Sequence, residues 1–202
     1  MRTAAFVVAL LALLLRGTVA QSSPGAGPPK IVFVDADSPL EIGDGTSWET
    51  AFKHLAIALA AEPGPAEFWV AAGAYNPVSL FGDRRFASIV IEAGQHVFGG
   101  FAGTETERDQ RRPSVNIVGL SGYIGSPGTA GNSFNVVKFD VASGGAATLD
   151  GVVVSGGYDD RPSGDAGGII VDGGAVTITD VGVSDMPEAP AAAFTYEVAS
   201  RS

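Results

Sequence analysis

Thr148-Leu149-Asp150-Gly151-Val152-Val153-Val154-Ser155 is echoed 29 residues later by Thr177-Ile178-Thr179-Asp180-Val181-Gly182-Val183-Ser184, with apolar and terminal residues in register. Short β-branched runs that return at a fixed interval between Gly-rich turns mark a chain whose laps stack on one another. Leu149, Val152 and Val154 correspond to Ile178, Val181 and Val183. The three-residue step between the first two members breaks strand alternation and predicts a corner between two short strands of one lap. The rival reading is an antiparallel sandwich, since Asp172-Gly173 also suits a hairpin turn between 169–171 and 176–178.

The beginning of the chain has Arg2, an apolar run over 4–15 and small residues through Ala20, and is read as a signal peptide over 1–20 with cleavage before Gln21. A run of twelve is short of the roughly twenty apolar residues that span a bilayer, so no transmembrane anchor is expected after cleavage. About 182 residues remain, enough for one domain. Loss of Arg2 and Arg16 leaves ten basic residues against 22 acidic ones, a charge of about −12. Such a balance repels polyanions, and no basic stripe with interleaved aromatics counters it, so nucleic acid is not an expected partner. The absence of cysteine excludes disulfides, thiolate catalysis and Cys-ligated zinc.

Residues 21–30 are rich in Ser, Pro and Gly and are read as a flexible linker. A β domain is expected over 31–185, with strands at 31–34, 68–71, 88–91, 96–98, 115–118, 134–139, 148–154, 169–171 and 176–183. The polar stretches 74–85 and 104–113 are expected to be loops. The period changes at Thr46, which stands three residues before Glu49 as in a capping box, while Trp48, Phe52, Leu55 and Leu59 repeat at helical spacing. This predicts an amphipathic helix over about 46–61, ended by Pro63-Gly64-Pro65, that covers the first rung. A helix laid on the side of an antiparallel sheet would use the same residues.

Three residue strings carry a family resemblance: "GDGTSWETAFKHLAIAL" from Gly43, "FWVAAGAYNP" from Phe68 and "FGGFAGTETERDQRRPSVNIVGLSG" from Phe98. Together with "TLDGVVVSGG" and "GGIIVDGGAVTITDVGVSD", they resemble the N-terminal part of secreted bacterial right-handed parallel β-helix repeat proteins of the pectin-lyase-like superfamily, some of them related to polymorphic outer-membrane proteins. The resemblance implies an all-β right-handed parallel β-helix, or solenoid, with an N-terminal amphipathic capping helix, and a secreted or cell-surface location. Where further coils are expected, 186–202 has Pro187, Pro190 and an alanine run, and is read as an irregular tail. It either folds back as a cap or marks a solenoid truncated at the C-terminus.

Two acidic groups are candidate sites. Asp35, Asp37, Glu41 and Asp44 are hard oxygen ligands within ten residues and can in principle form a calcium loop, although Asp and Gly are also ordinary turn residues. Asp159, Asp160, Arg161 and Asp165 lie between the echoed segments and are the candidates for catalysis. Lyases of the superfamily that the chain resembles hold calcium on acidic residues against an anionic sugar and remove a proton with a basic one. These four do not match that motif residue by residue, and a solvated charged loop is the competing account. Arg84, Arg85, Arg108, Arg111 and Arg112 form a third group, suited to carboxylate or phosphate unless local pairing with Glu105, Glu107 and Asp109 consumes it. His54 and His96 are read as structural. The expected function is a scaffold or recognition surface for a polysaccharide or a surface protein, adhesin-like and without catalysis. The alternatives are a polysaccharide lyase or glycoside hydrolase acting on acidic glycans with calcium, and a non-functional fragment of a larger protein.

Overall fold

A computed structural model describes residues 29–79, 82–124, 131–142, 144–158, 167–184 and 193–199. The expected signal peptide over 1–20 and all but the last two residues of the expected linker over 21–30 lie outside them. Among the described residues the fold is mostly β, with one α-helix, and its strands pair predominantly in parallel.

The strands are β1 (Lys30–Val34), β2 (Ala66–Ala71), β3 (Gly73–Tyr75), β4 (Ile89–Glu92), β5 (Gln95–Phe101) and β6 (Val118–Ser121), followed by β7 (Val137–Asp140), β8 (Ala146–Asp150), β9 (Val153–Ser155), β10 (Ile169–Asp172), β11 (Ala175–Ser184) and β12 (Ala193–Ala199). A curled sheet runs in the order β1-β2-β5-β8-β11-β9-β6-β3, and a second sheet runs β10-β7-β4. β11 joins two ladders, because its first half pairs with β8 and its second half with β9. From β2 onward the chain therefore places one strand on each of three ladders, in the same order, before returning to the first.

The echo seen in the sequence is this ladder's register. Leu149 lies opposite Ile178 and Val154 opposite Val183 in parallel pairs. The same 29-residue offset sets Ala66 opposite Gln95 two strands earlier. The expected corner falls at Gly151, whose φ of 73° needs no Cβ relief, and its counterpart Asp180 adopts φ 51°. Asp is among the few side chains that tolerate that region, so β11 turns the corner without glycine. The hairpin reading is corrected here: β10 and β11 sit on different ladders, and Gly173 and Gly174, both at positive φ, turn the chain between them.

Inward residues stack in columns. Val32, Phe68, Val97, Leu149 and Ile178 are successive register partners on the first ladder, and all are buried. Leu120 with Val154, and Ile91 with Phe139, line the other two. Alternation along each short strand sends every second side chain into this shared core.

The helix expected over 46–61 is confined to α1 (Leu55–Ala61). The physical reason is the open edge of β1, which recruits the main chain upstream of the helix. Phe52 N donates to Phe33 O at 2.9 Å, Asp35 N to Phe52 O at 2.8 Å, and Phe33 N to Gly45 O at 2.9 Å. The capping box at Thr46 is absent, because Thr46 N donates to Asp44 Oδ1 instead. Phe52, Leu55 and Leu59 still enter the core, whereas Trp48 turns to an outer aromatic cluster. α1 packs against β1 and β4.

Three other expectations shift. β3 lies at the start of the stretch read as a loop over 74–85, and β6 begins where the 115–118 window ends. Within the tail read as irregular over 186–202, β12 runs antiparallel to β11, with Val176 opposite Val198 and Val181 opposite Phe194. The alternation Phe194, Tyr196, Val198 carried that strand signal, masked in the sequence by the neighbouring alanines and prolines.

Candidate functional site

The first acidic group is dispersed among its own turns. Asp35 Oδ1 accepts from Asp37 N at 2.9 Å, closing an Asx turn after β1. Glu41 reaches Lys53 Nζ at 3.1 Å and His54 Nε2 at 3.7 Å, and the Lys53 hydrogen bond holds its carboxyl below the usual range. Asp44 Oδ1 accepts from Thr50 Oγ1 at 2.6 Å, Thr46 Oγ1 at 2.8 Å and Thr46 N at 3.0 Å. These bonds, led by that from Thr50, lower its pKa to about 2. Among the described residues no three or more His, Asp or Glu side chains converge as a metal-holding group.

Asp44 carries a pH prediction. A folded pKa below the unfolded one makes the ionised carboxylate a stabilising group above about pH 4, and that contribution is lost as the pH falls toward 2. Asp44→Asn should flatten the acid limb of the stability profile between those values in urea melts. An unchanged limb would contradict the assignment.

The second acidic group, Asp159, Asp160, Arg161 and Asp165, lies outside the described residues. In chain order it belongs to the last of three connections between second-ladder and third-ladder strands, 76–88, 122–136 and 156–168. The described parts of these connections are laced together. Arg85 donates from Nε to Asn132 O at 2.9 Å and from Nη2 to Tyr158 O at 3.1 Å, and its guanidinium sits 4.0 Å over the Phe134 ring. Phe134 N donates to Arg85 O at 2.8 Å, and Tyr158 N to Ser133 O at 2.9 Å. Asn76 Nδ2 bonds both Ser121 O and Tyr123 O at 2.9 Å.

On this corner three aromatic side chains from consecutive connections face water: Phe86, which is 65% exposed, Tyr123 and Tyr158. Phe86 rests edge-on against Phe134 with centroids 4.9 Å apart. Tyr123 lies over Gly156, where an added Cβ would come within 2.5 Å of the ring. A planar surface that is apolar on its face and polar at its tip suits partners with mixed character. Neither Phe86 nor the tyrosines stood out in the sequence, because their spacing follows no period. Arg85 was visible only as one of several basic residues.

Arg108 and Arg111 are engaged, though not locally. Arg108 Nη1 reaches Glu67 Oε1 at 2.7 Å. Arg111 makes a two-pronged pair with Asp150, at 3.1 and 2.8 Å, and donates to Gly99 O at 3.1 Å. Both guanidinium groups lie over the Phe98 ring, at 4.6 and 5.5 Å. The expected local partners do other work: Glu105 accepts from Ala102 N and Thr104 N, and Glu107 forms a capping box with Gln110. The arginine loop thus clamps the outward column Phe33, Trp69 and Phe98, where Trp48 and Phe101 complete the cluster. Trp69 and Phe101 stack at 4.8 Å, and Trp48 Nε1 donates to Glu105 O at 2.9 Å. His96 Nδ1 lies 2.9 Å from Thr148 Oγ1, and burial lowers its pKa.

Arg111→Met should lower stability by about 2 kcal/mol, since charge-assisted hydrogen bonds contribute roughly 1.5–3 kcal/mol and less than a fifth of either side chain of the pair is exposed. Combining it with Asp150→Asn in a double-mutant cycle should recover about 1 kcal/mol, because neither charge is then left unpaired. Strict additivity of the two changes would show that the pair is uncoupled. Comparison with protein-family models, curated proteins and solved structures returned no match.

Proposed function

We propose that the chain is an exported or cell-surface module that presents a recognition surface on a right-handed parallel β-helix of the pectin-lyase-like kind, and that it performs no catalysis of its own. The winding reading is supported by the fixed order in which the chain visits the three ladders, β2-β3-β4, then β5-β6-β7, then β8-β9-β10. The observation that carries the functional reading is the corner where Phe86, Tyr123 and Tyr158 stand exposed on connections tied together by Arg85. Rings held by a rigid scaffold lose little freedom on binding, so they are efficient anchors for the apolar faces of a polysaccharide or for a surface protein. Net acidity disfavours polyanions as partners. Export is supported by the signal-like leader alone, and N-terminal sequencing of the secreted chain should find Gln21 first.

A glycan array and a product-release assay, each with and without calcium, test the reading. Binding without turnover is expected, with affinity reduced at least about tenfold, or 1.4 kcal/mol, when Phe86, Tyr123 and Tyr158 are together replaced by alanine. Calcium-dependent release of unsaturated sugar ends would overturn it in favour of a lyase.

A further inference from the structure

Asp-Gly occurs three times in the chain, at Asp44-Gly45, Asp150-Gly151 and Asp172-Gly173. In such a pair the amide nitrogen of glycine can attack the side-chain carbonyl carbon of the aspartate, because glycine has no Cβ to shield that nitrogen. The fold treats the three pairs differently. Gly45 N donates to Thr50 O at 2.8 Å, and Asp44 Oδ1 is held by Thr46 and Thr50. Gly151 N donates to Thr179 O at 3.1 Å, and the Asp150 side chain, 14% exposed, is gripped by Arg111. In both pairs the nucleophile and the electrophile are tied to separate partners.

Asp172-Gly173 has neither restraint. Asp172 ends β10 with a side chain 72% exposed, and Gly173 and Gly174 turn the chain toward β11 at φ 77° and 69°. Among the described residues no hydrogen bond engages Gly173 N or the Asp172 carboxylate. Lys138 Nζ stands 4.0 Å from Asp172 Oδ2 and closer, at 3.2 Å, to Asp140. Asp140 and Glu92 occupy the same column on the two rungs beneath, but neither offers the same chemistry. Asp140 is followed by the β-branched Val141, whose methyl groups crowd its own nitrogen and whose N–H is spent on Asp172 O at 3.1 Å. Glu92 would have to close a larger, slower-forming ring.

We infer that Asp172 is a site of spontaneous isoaspartate formation. Gly173 N gives up its proton and bonds to Asp172 Cγ, while the carboxyl hydroxyl departs with a proton as water and leaves a succinimide. Water then adds to one of the two ring carbonyls. Cleavage of the bond from Gly173 N to Cγ restores aspartate. Cleavage of its bond to the main-chain carbonyl carbon leaves the chain running through Cβ and Cγ. One water leaves and one enters, so the change is an isomerisation that needs no oxidant or other co-reactant. The new linkage adds one methylene to the turn that sets Ala175 opposite Ala146, so the modification acts on the register of β11 against β8.

Incubation of the full chain in heavy-oxygen water near neutral pH, followed by digestion and peptide mapping, tests this. Isoaspartate carrying heavy oxygen is expected at 172 at least about tenfold faster than at 44 or 150, a barrier lower by about 1.4 kcal/mol. In urea the three pairs should react at similar rates, because the difference between them belongs to the fold. Asp172→Asn should reach the same isoaspartate faster, by releasing ammonia as the same ring closes. Equal rates at the three pairs in the folded chain, a preference for 172 that persists in urea, or an Asp172→Asn chain that keeps its amide would each overturn the inference.

Discussion

Leu149→Ala is expected to lower the stability of the fold by about 3–5 kcal/mol, at the upper part of the range for large-to-small changes in a packed core. Leu149 is fully buried and is the fourth of five inward side chains, with Val97 on one side and Ile178 on the other. Backbone ladders on both faces of β8 prevent the strands from closing in on the space left behind, so most of the cavity should persist. A stacked chain couples each rung chiefly to its neighbours, which makes the damage local in its first expression. Hydrogen exchange should accelerate in β5, β8 and β11 before β1 and β2. Urea melts showing a loss below about 1 kcal/mol would mean that the column does not bear the weight placed on it here.

The second large effect is expected at Gln95, the first residue of β5. Its buried side chain donates to Leu59 O and Glu62 O at 2.9 Å each and accepts from Glu92 N at 2.7 Å. One amide therefore ends α1, closes the turn after β4 and joins both to the first ladder. The helix is only seven residues long and has no side-chain cap at its start, so it depends on such tertiary partners. Gln95→Ala strands one buried main-chain group, Leu59 O, and two part-buried ones, Glu62 O and Glu92 N. With roughly 1–3 kcal/mol for a buried unsatisfied group and less for the others, it should cost about 2–4 kcal/mol in denaturant melts. Gln95→Glu should be no better than alanine, because a carboxylate turns both donor contacts into contacts between acceptors. Near-wild-type stability of Gln95→Glu would contradict this account.

The candidate site was partly legible. The Asp35 to Asp44 group was visible as a string of acids, and their coordinates explain why proximity in sequence did not bring them together. Asp44 is occupied by Thr46 and Thr50, and Glu41 by Lys53. For the arginines, ion pairing was the simpler sequence reading, but its partners were misplaced. Arg111 lies 39 residues from Asp150, and Arg108 lies 41 from Glu67, distances at which no local pattern operates. The exposed corner of Phe86, Tyr123 and Tyr158 had no sequence signal, since three aromatics on three connections become neighbours only after the laps are stacked.

What the chain declares by itself is the register. Strand alternation and the 29-residue echo are properties of consecutive side chains, and they place Leu149 over Ile178 before any coordinate is known because a one-residue slip would turn the apolar set outward. Helical spacing through Trp48 and Leu59 was equally local, yet tertiary structure overruled its first half. The free edge of β1 gains two hydrogen bonds from the main chain of Phe52, whereas the first turns of a short helix offer their own donors no partner. Patterns written in neighbouring residues survive folding when the backbone has one use for them. Where a distant edge competes for the same main-chain groups, only the assembled structure decides.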